Sequence, residues 1–407
     1  MHATTDRLKV LFVAEGATLA HVARPLVLAR GLDPGSCEVT LARPASYAWM
    51  TADVRLQVCD VDCQPADVFA RKLDRGAPLF DYPTLRRYVD EDLDLIDRFR
   101  PDVVVGDFRL SLSVSARLRK VPYITICDAY WSPELPLDPP LPVLPFTRIV
   151  PIPLATPVFR LATRFAFPYH AHAMERLRAH YGLPGLGHDL SRVYTDADLR
   201  LFANIPALFP DVREGGEAGF LGPIAWSPPP VEEMDLAALP RPLVFVTMGS
   251  SGDTSVLGGV VRALAEVAGS LVVATAGRVR AETVRLPKTF VFDFVSGEQL
   301  CRYADLVVCN GGSPITNLAL THGVPVVGIV RNMDQFLNMR AIVRQTAGTM
   351  VRADRIRPDK IQALARNLIT DKRWRSNAFR MASSARAALT ERSLQAYIDG
   401  LVVRSGR

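Results

Sequence analysis

Apolar residues in this chain fall in short runs, separated by stretches whose apolar positions repeat with helical spacing. KVLFVAE (9–15) reads as a buried strand, and AHVARPLVLARGL (20–32) then carries Val22, Leu26 and Leu28 with helical periodicity. CEVTLA (37–42) returns as a strand. Residues 82–99 place Leu85, Tyr88, Val89, Leu93 and Ile96 on one helical face. DVVVGDF (102–108), a helix, and PYITICD (122–128) continue the alternation, which predicts an α/β fold with a doubly wound parallel sheet. The stretch 133–160 breaks the rhythm with closely spaced prolines and apolar residues. So long an irregular segment inside a compact domain predicts a lid or binding loop. A helical segment rich in aromatics and arginines follows, RLATRFAFPYHAHAMERLRAHYG, and the first half closes near LFANIPALFP (201–210).

Three successive prolines mark SPPPVEEMDLAALPRP (227–242) as a linker. A second set of strand runs then opens: LVFVTM (243–248), LVVAT (271–275), FVFDF (290–294), LVVC (306–309) and VPVVGI (324–329). The expected division is a first domain over 1–226, a second over 243–385, and a terminal helix, 386–407, returning to the first domain. Two similar halves on a linker predict a cleft between them.

With 407 residues, the chain is too long for one ordinary core. Composition adds little else, at 49% apolar and 22% charged. The net charge of +6 is spread along the chain, which suits anionic ligands and argues against nucleic acid as a partner. No apolar run reaches bilayer-spanning length, and MHATTDRLKV lacks a signal-peptide core, so a cytoplasmic protein is expected. The cysteines at 37, 59, 63, 127, 301 and 309 form no C-x-x-C pair and read as buried, reduced thiols.

The chemistry begins at CNGGSP (309–314), where a strand turns into a helix. Ser313 is expected as the N-cap and Pro314 at the first helical position. Peptide N–H groups and the helix dipole would then face the cleft, and Gly311 and Gly312 would let a phosphate come close. A plain capped turn explains the same residues equally well. A second small-residue turn, GSSGD (249–253) with Ser250 and Ser251, tips the balance towards a diphosphate gripped at both ends. Neither turn is a G-x-G-x-x-G fingerprint or a P-loop.

Taken together, these residues resemble the donor-binding domain of family 1 glycosyltransferases of the GT-B fold. Bacterial members carry His-Gly-Gly-x-Gly-[ST]-x-x-[EQ], then Gly-Val-Pro, then Asp-Gln. Here Gly311-Gly312, Thr316, Gly323-Val324-Pro325 and Asp334-Gln335 fall in register. The resemblance covers most of the chain, most strongly 8–30, 101–127 and 295–340. It implies two Rossmann-like domains, a nucleotide diphosphate sugar (UDP- or dTDP-linked) held by the glycine turn, and sugar hydroxyls held by Asp334 and Gln335. The simpler reading of Asp334 is a cap on the helix that follows. Two positions depart from the pattern: Asn310 replaces the diphosphate histidine, and Leu318 replaces the ribose-binding Glu or Gln, so ribose recognition must differ.

In the first half, EGATLAHVARPLVLARGL is similar to the family's start, where a histidine opening the first helix removes the acceptor proton. His21 takes that position, with Ala20 in place of the neighbouring glycine. Independently, a histidine past the end of the first strand projects towards the cleft and titrates near working pH. Asp107, ending DVVVGD, is the expected orienting carboxylate; a helix cap is its alternative role. An inverting transfer follows, with the leaving diphosphate stabilised by peptide N–H groups near 312–316 and by Ser250 or Ser251. No cofactor or metal is required. The rival metal-binding pairs, Asp60–Asp62 and Asp92–Asp94, read as structural, the first in a loop and the second on a helix's solvent face.

Phe108, Tyr130, Trp131 and the proline-rich loop are expected to wall a hydrophobic small-molecule acceptor offering a hydroxyl or amine. Alternatively, 156–178 lies on a membrane surface and the acceptor is a lipid. Two further readings are a catalytically silent GT-B partner protein and an epimerase of nucleotide sugars. Monomer and homodimer are both open.

Overall fold

The structure is a computed structural model, and it describes residues 7–227, 234–250, 252–391 and 393–404. Residues 1–226 contribute strands β1 (Leu8–Ala14), β2 (Cys37–Arg43), β3 (Gln57–Asp60), β4 (Val103–Asp107), β5 (Tyr123–Cys127), β6 (Leu199–Phe202) and β7 (Ala218–Phe220). Every pairing among them is parallel, in the order β3-β2-β1-β4-β5-β6-β7. Their helices are α1 (Leu19–Gly31), α2 (Ala66–Arg75), α3 (Tyr82–Phe99), α4 (Leu112–Leu118), α5 (Ile152–His180) and α6 (Leu190–Thr195). β4 and β5 are buried along their whole length, as an all-parallel central strand covered on both faces must be.

The second lobe repeats the plan with β8 (Leu243–Thr247), β9 (Ser270–Ala274), β10 (Thr289–Phe292), β11 (Leu306–Cys309), β12 (Val326–Val330) and β13 (Gly348–Arg352), in the order β10-β9-β8-β11-β12-β13. Around them lie α7 (Leu257–Ala265), α8 (Gly297–Tyr303), α9 (Ser313–Thr321), α10 (Met333–Arg344), α11 (Pro358–Thr370) and α12 (Lys372–Glu391), and α13 (Leu394–Arg404) follows. The chain crosses back at its end: Leu394, Ile398, Leu401 and Val402 of α13 pack with Val10 and Phe12 of β1.

Two expectations are corrected. The irregular stretch ends at Pro151, not 160, because α5 starts at Ile152 and continues through Pro157 and Pro168. Proline in the first turn removes no helical hydrogen bond, so Pro153 is compatible with the start. Asp92 is not on the solvent face of α3 but fully buried, while Asp94 is exposed. Position 92 lies seven residues after Leu85, on the face that also buries Tyr88, Val89 and Ile96.

A carboxylate can occupy that face because Arg109 reaches it. Arg109, itself wholly buried, donates to Asp92 Oδ1 at 3.0 Å, to Glu91 at 2.8 Å and to the Asp62 carbonyl at 2.6 Å. Its guanidinium sits 3.7 Å above the Tyr88 ring centre. The rival metal pairs are thus bound up with arginines: Asp60 with Arg43, Asp62 with Arg87, Asp92 with Arg109. Glu15, at the end of β1, completes the cluster at 3.7 Å from Arg109. Burial pushes its pKa up to about 7, against the pull of the Arg109 charge.

Removing the guanidinium strands the buried carboxylates. Arg109→Ala is expected to lose about 3–5 kcal/mol in urea denaturation. Because the folded pKa of Glu15 lies above its unfolded value of 4.5, the folded state holds the extra proton, and stability falls as pH rises from about 4.5 to 7. Glu15→Gln should remove up to about 3 kcal/mol of that fall, read from denaturation midpoints across the window.

Candidate active site

The carboxyl ends of the two sheets face each other. Past β5, Trp131 Nε1 donates to Asp334 Oδ1 beyond β12 at 2.8 Å. Past β6, Asn204 Nδ2 donates to Ser313 Oγ beyond β11 at 3.2 Å. Open α/β sheets hold ligands at such strand ends, and here two sets converge.

On the first-lobe side, His21 lies in the first turn of α1 and Asp107 is the last residue of β4. His21 Nδ1 is 2.7 Å from Asp107 Oδ1. A carboxylate only accepts, so Nδ1 carries the proton and Nε2 is left as the basic atom. The Arg24 Nη2 contact at 3.2 Å cannot then be a donation to Nδ1. The imidazole is largely covered, its side chain 17% exposed. Phe108 stacks on it, ring centres 4.9 Å apart and 14° from parallel. That placement requires φ +58° at Phe108, a left-handed conformation that costs a non-glycine residue about 1 kcal/mol or more.

Arg24, one turn beyond His21, grips Asp107 through both carboxylate oxygens at 2.7 and 2.8 Å, and reaches Asp128 at 3.1 Å. Burial works against its charge, but the two carboxylates outweigh that and hold its pKa above the usual value. Burial also opposes the charge on Asp128, yet Arg24, Ser313 and Asn204 together keep its pKa below the ordinary range. Arg24 thus lies between two carboxylates, one of which also holds the imidazole.

On the second-lobe side, the two glycines of the turn have different roles. Gly311 has φ +77°, and a Cβ there would lie 2.7 Å from Met339 Cγ and 2.8 Å from Val330 Cγ1. Its bare backbone is demanded by packing. Gly312 has φ −69°, and an added Cβ would meet only the Asn310 side chain, at 3.3 Å. No packing need keeps it a glycine; the space above it is open to a ligand. Gly312, not Ser313, is the N-cap of α9, and its N–H donates to Asn310 Oδ1 at 3.1 Å. By helix geometry the N–H groups of Ser313 and Ile315 head the helix, since Pro314 has none.

The second turn lies alongside, because β8 and β11 are neighbours in the sheet. A Cβ on Gly252 would meet Asn310 Cβ at 2.8 Å, so the turns touch through Asn310. Ser250 is exposed at this edge, and Ser251 lies outside the described residues. Arg278, past β9, donates to the carbonyls of Gly252 and Gly249 at 2.8 and 3.3 Å. It brings to this turn the positive charge that Asn310 lacks.

Asp334, half-buried, lies in the first turn of α10, whose cap is Asn332 rather than Asp334. Burial and the nearby Asp128 push its pKa up, while the Trp131 hydrogen bond and His21 across the cleft pull it down. Gln335 Oε1 accepts from the N–H groups of Arg331 and Asn332 at 2.8 and 3.3 Å, whereas its Nε2, buried, has no partner within the protein. A buried amide donor without an acceptor is costly.

Three expected site residues are used otherwise. Thr316 is fully buried; its hydroxyl donates to the Gly312 carbonyl and accepts from Asn338 at 2.8 Å, away from the cleft. Ser313 accepts from Asn204 and Asn317, which ties the lobes together. Tyr130 is packed against Phe209 and Trp131 in the core. Leu318, 6% exposed, packs under Gly297. Sequence reasoning missed Arg24, Asp128, Asn204 and Arg278. The available signals were an arginine one turn after His21 on the same helix, and a second aspartate ending the neighbouring strand, in PYITICD. Elsewhere between the lobes, Trp49 meets Trp226 at 5.9 Å and Phe294 at 6.4 Å.

Comparison with known proteins places this arrangement. Residues 259–393 match the model for "Erythromycin biosynthesis protein CIII-like, C-terminal domain". A "PGL/p-HBAD biosynthesis glycosyltransferase" of Mycobacterium tuberculosis (strain ATCC 25177 / H37Ra) is 39% identical over 380 residues, 93% of this chain and 89% of the relative. A "PGL/p-HBAD biosynthesis rhamnosyltransferase" of Mycobacterium bovis (strain BCG / Pasteur 1173P2) is also 39% identical, over 93% of this chain and 84% of its own. Among solved structures, the glycosyltransferase VinC in complex with DTDP superposes with a TM-score of 0.69 at 17% identity, covering 98% of this chain and 100% of that one. The chain therefore belongs to the family 1 natural-product glycosyltransferases and has their GT-B fold. It is a glycosyltransferase.

Gly311→Ala should cost about 2–4 kcal/mol, since backbone conformation and packing both oppose a methyl group there. A thermal melt compared with wild type measures it.

Proposed function

We propose that the enzyme transfers a sugar, with inversion, from a nucleotide diphosphate sugar to a hydroxyl of an apolar acceptor, with His21 as base and Asp107 as its orienting partner. The observation that carries this is the His21–Asp107–Arg24 cluster facing Asp334 and Gln335 across the cleft. The Nδ1 proton is held by Asp107, so Nε2 takes the acceptor proton as the oxygen attacks the sugar carbon from the face opposite the diphosphate. The imidazolium that forms is stabilised by the negative charge of the Arg24–Asp107–Asp128 set.

The donor diphosphate rests above Gly312. Charge building on it as it leaves meets the N–H groups heading α9 and the Arg278 guanidinium. Those groups stabilise the leaving group without a divalent ion. Asp334 and the unpartnered amide of Gln335 bind sugar hydroxyls. VinC, which shares the fold, was solved in complex with DTDP, and that supports a nucleotide diphosphate as part of the donor. Phe108, stacked on the base, and Trp131, bonded to Asp334, place aromatic surface on the acceptor side, as suits a ring-bearing, water-poor aglycone. The relatives named for PGL/p-HBAD biosynthesis favour such an acceptor.

With a panel of UDP-, dTDP- and GDP-sugars, His21→Ala is expected to lower kcat for transfer or donor hydrolysis by about 10²–10⁴ while the thermal shift produced by the nucleotide persists. Activity within about twofold of wild type would remove His21 from the chemistry. Gly312→Ala should fold normally yet bind nucleotide at least about tenfold more weakly, because its methyl group fills the phosphate cradle. Unchanged affinity in isothermal titration would place the diphosphate elsewhere.

A further inference from the structure

Helix α5 faces the core with Ala155, Thr163, Ala171, Met174 and Leu177. At 100° per residue the opposite side carries Leu154, Val158, Leu161, Phe165 and Tyr169, each at least 58% exposed. Ile149, just before the helix, is 86% exposed. An outer helix face is ordinarily polar; this one is greasy over about four turns. Within the segment the charge has one sign. From 139 to 174 there is no Asp or Glu, while Arg148, Arg160 and Arg164 are all exposed. Arg160 leans on Asp138, outside that stretch, at 3.2 Å.

We infer that this face is a docking surface for an anionic lipid membrane, from which the acceptor is delivered; the inference rests on the transferase reading above. The apolar row enters the interfacial layer and the arginines reach lipid phosphates, their stems lying along the apolar surface. A second copy of the chain fits poorly. A two-fold contact would set the same arginines against each other, with no carboxylate in 139–174 to pair them. The face is also continuous with the acceptor side. Phe167 of α5 packs on the cluster holding Tyr130 and Trp131, and the proline-rich segment runs directly from Trp131 to the start of the helix. An amphiphilic acceptor can thus keep its tail in lipid while its hydroxyl approaches the cleft.

The test is co-sedimentation of the full chain with vesicles of equal parts phosphatidylglycerol and phosphatidylcholine. Wild type is expected to pellet with them, and less at about 0.5 M salt, where screening shortens the reach of the arginine charges. The double variant Leu161→Ser/Phe165→Ser, and separately Arg160→Glu/Arg164→Glu, should partition at least about tenfold more weakly, with their nucleotide-induced thermal shift unchanged. His21→Ala should pellet as wild type, which separates this idea from the catalytic one. Wild type remaining in the supernatant would overturn the assignment, as would a Leu161→Ser/Phe165→Ser variant that pellets normally. Sedimentation velocity showing a lipid-free dimer that this double variant breaks would give the face to a second copy instead.

Discussion

One buried guanidinium governs the catalytic end of the first lobe. Asp107 and Asp128 end neighbouring strands, β4 and β5, whose pairing holds them near each other. Two carboxylates so placed in a buried site would repel, and one would take up a proton. Arg24 lies between them and bonds to both. Asp107 in turn accepts from His21 Nδ1, and Asp128 accepts from Asn204 Nδ2 at 3.0 Å. Asn204 also bonds Ser313 of the other lobe. The orientation of the His21 ring and the approach of α9 therefore share one electrostatic anchor.

The facing lobe uses a different resource, absence of side chains. Gly311 and Gly252 are bare because neighbouring atoms fill the space a Cβ would take, whereas a Cβ on Gly312 would meet only the Asn310 side chain. A packing argument and a ligand argument thus separate within one dipeptide. Specific polar groups then bound the open space: the amide of Gln335, the carboxylate of Asp334 and the guanidinium of Arg278.

Much of this was legible in the chain. Alternating strand and helix patterns located both sheets, because parallel strands buried on two faces leave unbroken apolar runs. His21 and Asp107 stood out by their places beyond strand ends. Other features were hidden for physical reasons. Arg24 looks like any of the chain's many arginines until folding lays α1 over the ends of β4 and β5. Thr316 sits in register with a family motif, yet a helical threonine can turn its hydroxyl back to the preceding turn, and here it does. Ser313 seemed the obvious cap, but extended backbone at Gly312 moves the cap one residue earlier. Asp92 was masked because a charged residue on an apolar face is read as solvent-facing unless its partner, seventeen positions along the chain, is known. Prolines near 153 and 157 imitate a loop while occupying the opening turns of a helix.

The proline-rich segment has its own consequence. Arg340 bonds the carbonyl and carboxylate of Asp138, Arg352 the carbonyls of Leu141 and Pro142, and Arg355 the carbonyl of Thr147, while Thr147 donates to Asp354. The N–H of Val143 donates to the Arg331 carbonyl at 2.7 Å. A partition belonging by sequence to one lobe is thereby riveted to the other. When the halves separate, the rivets must give way or the partition must travel with the far side, so opening the gap and reshaping its wall become a single mechanical event.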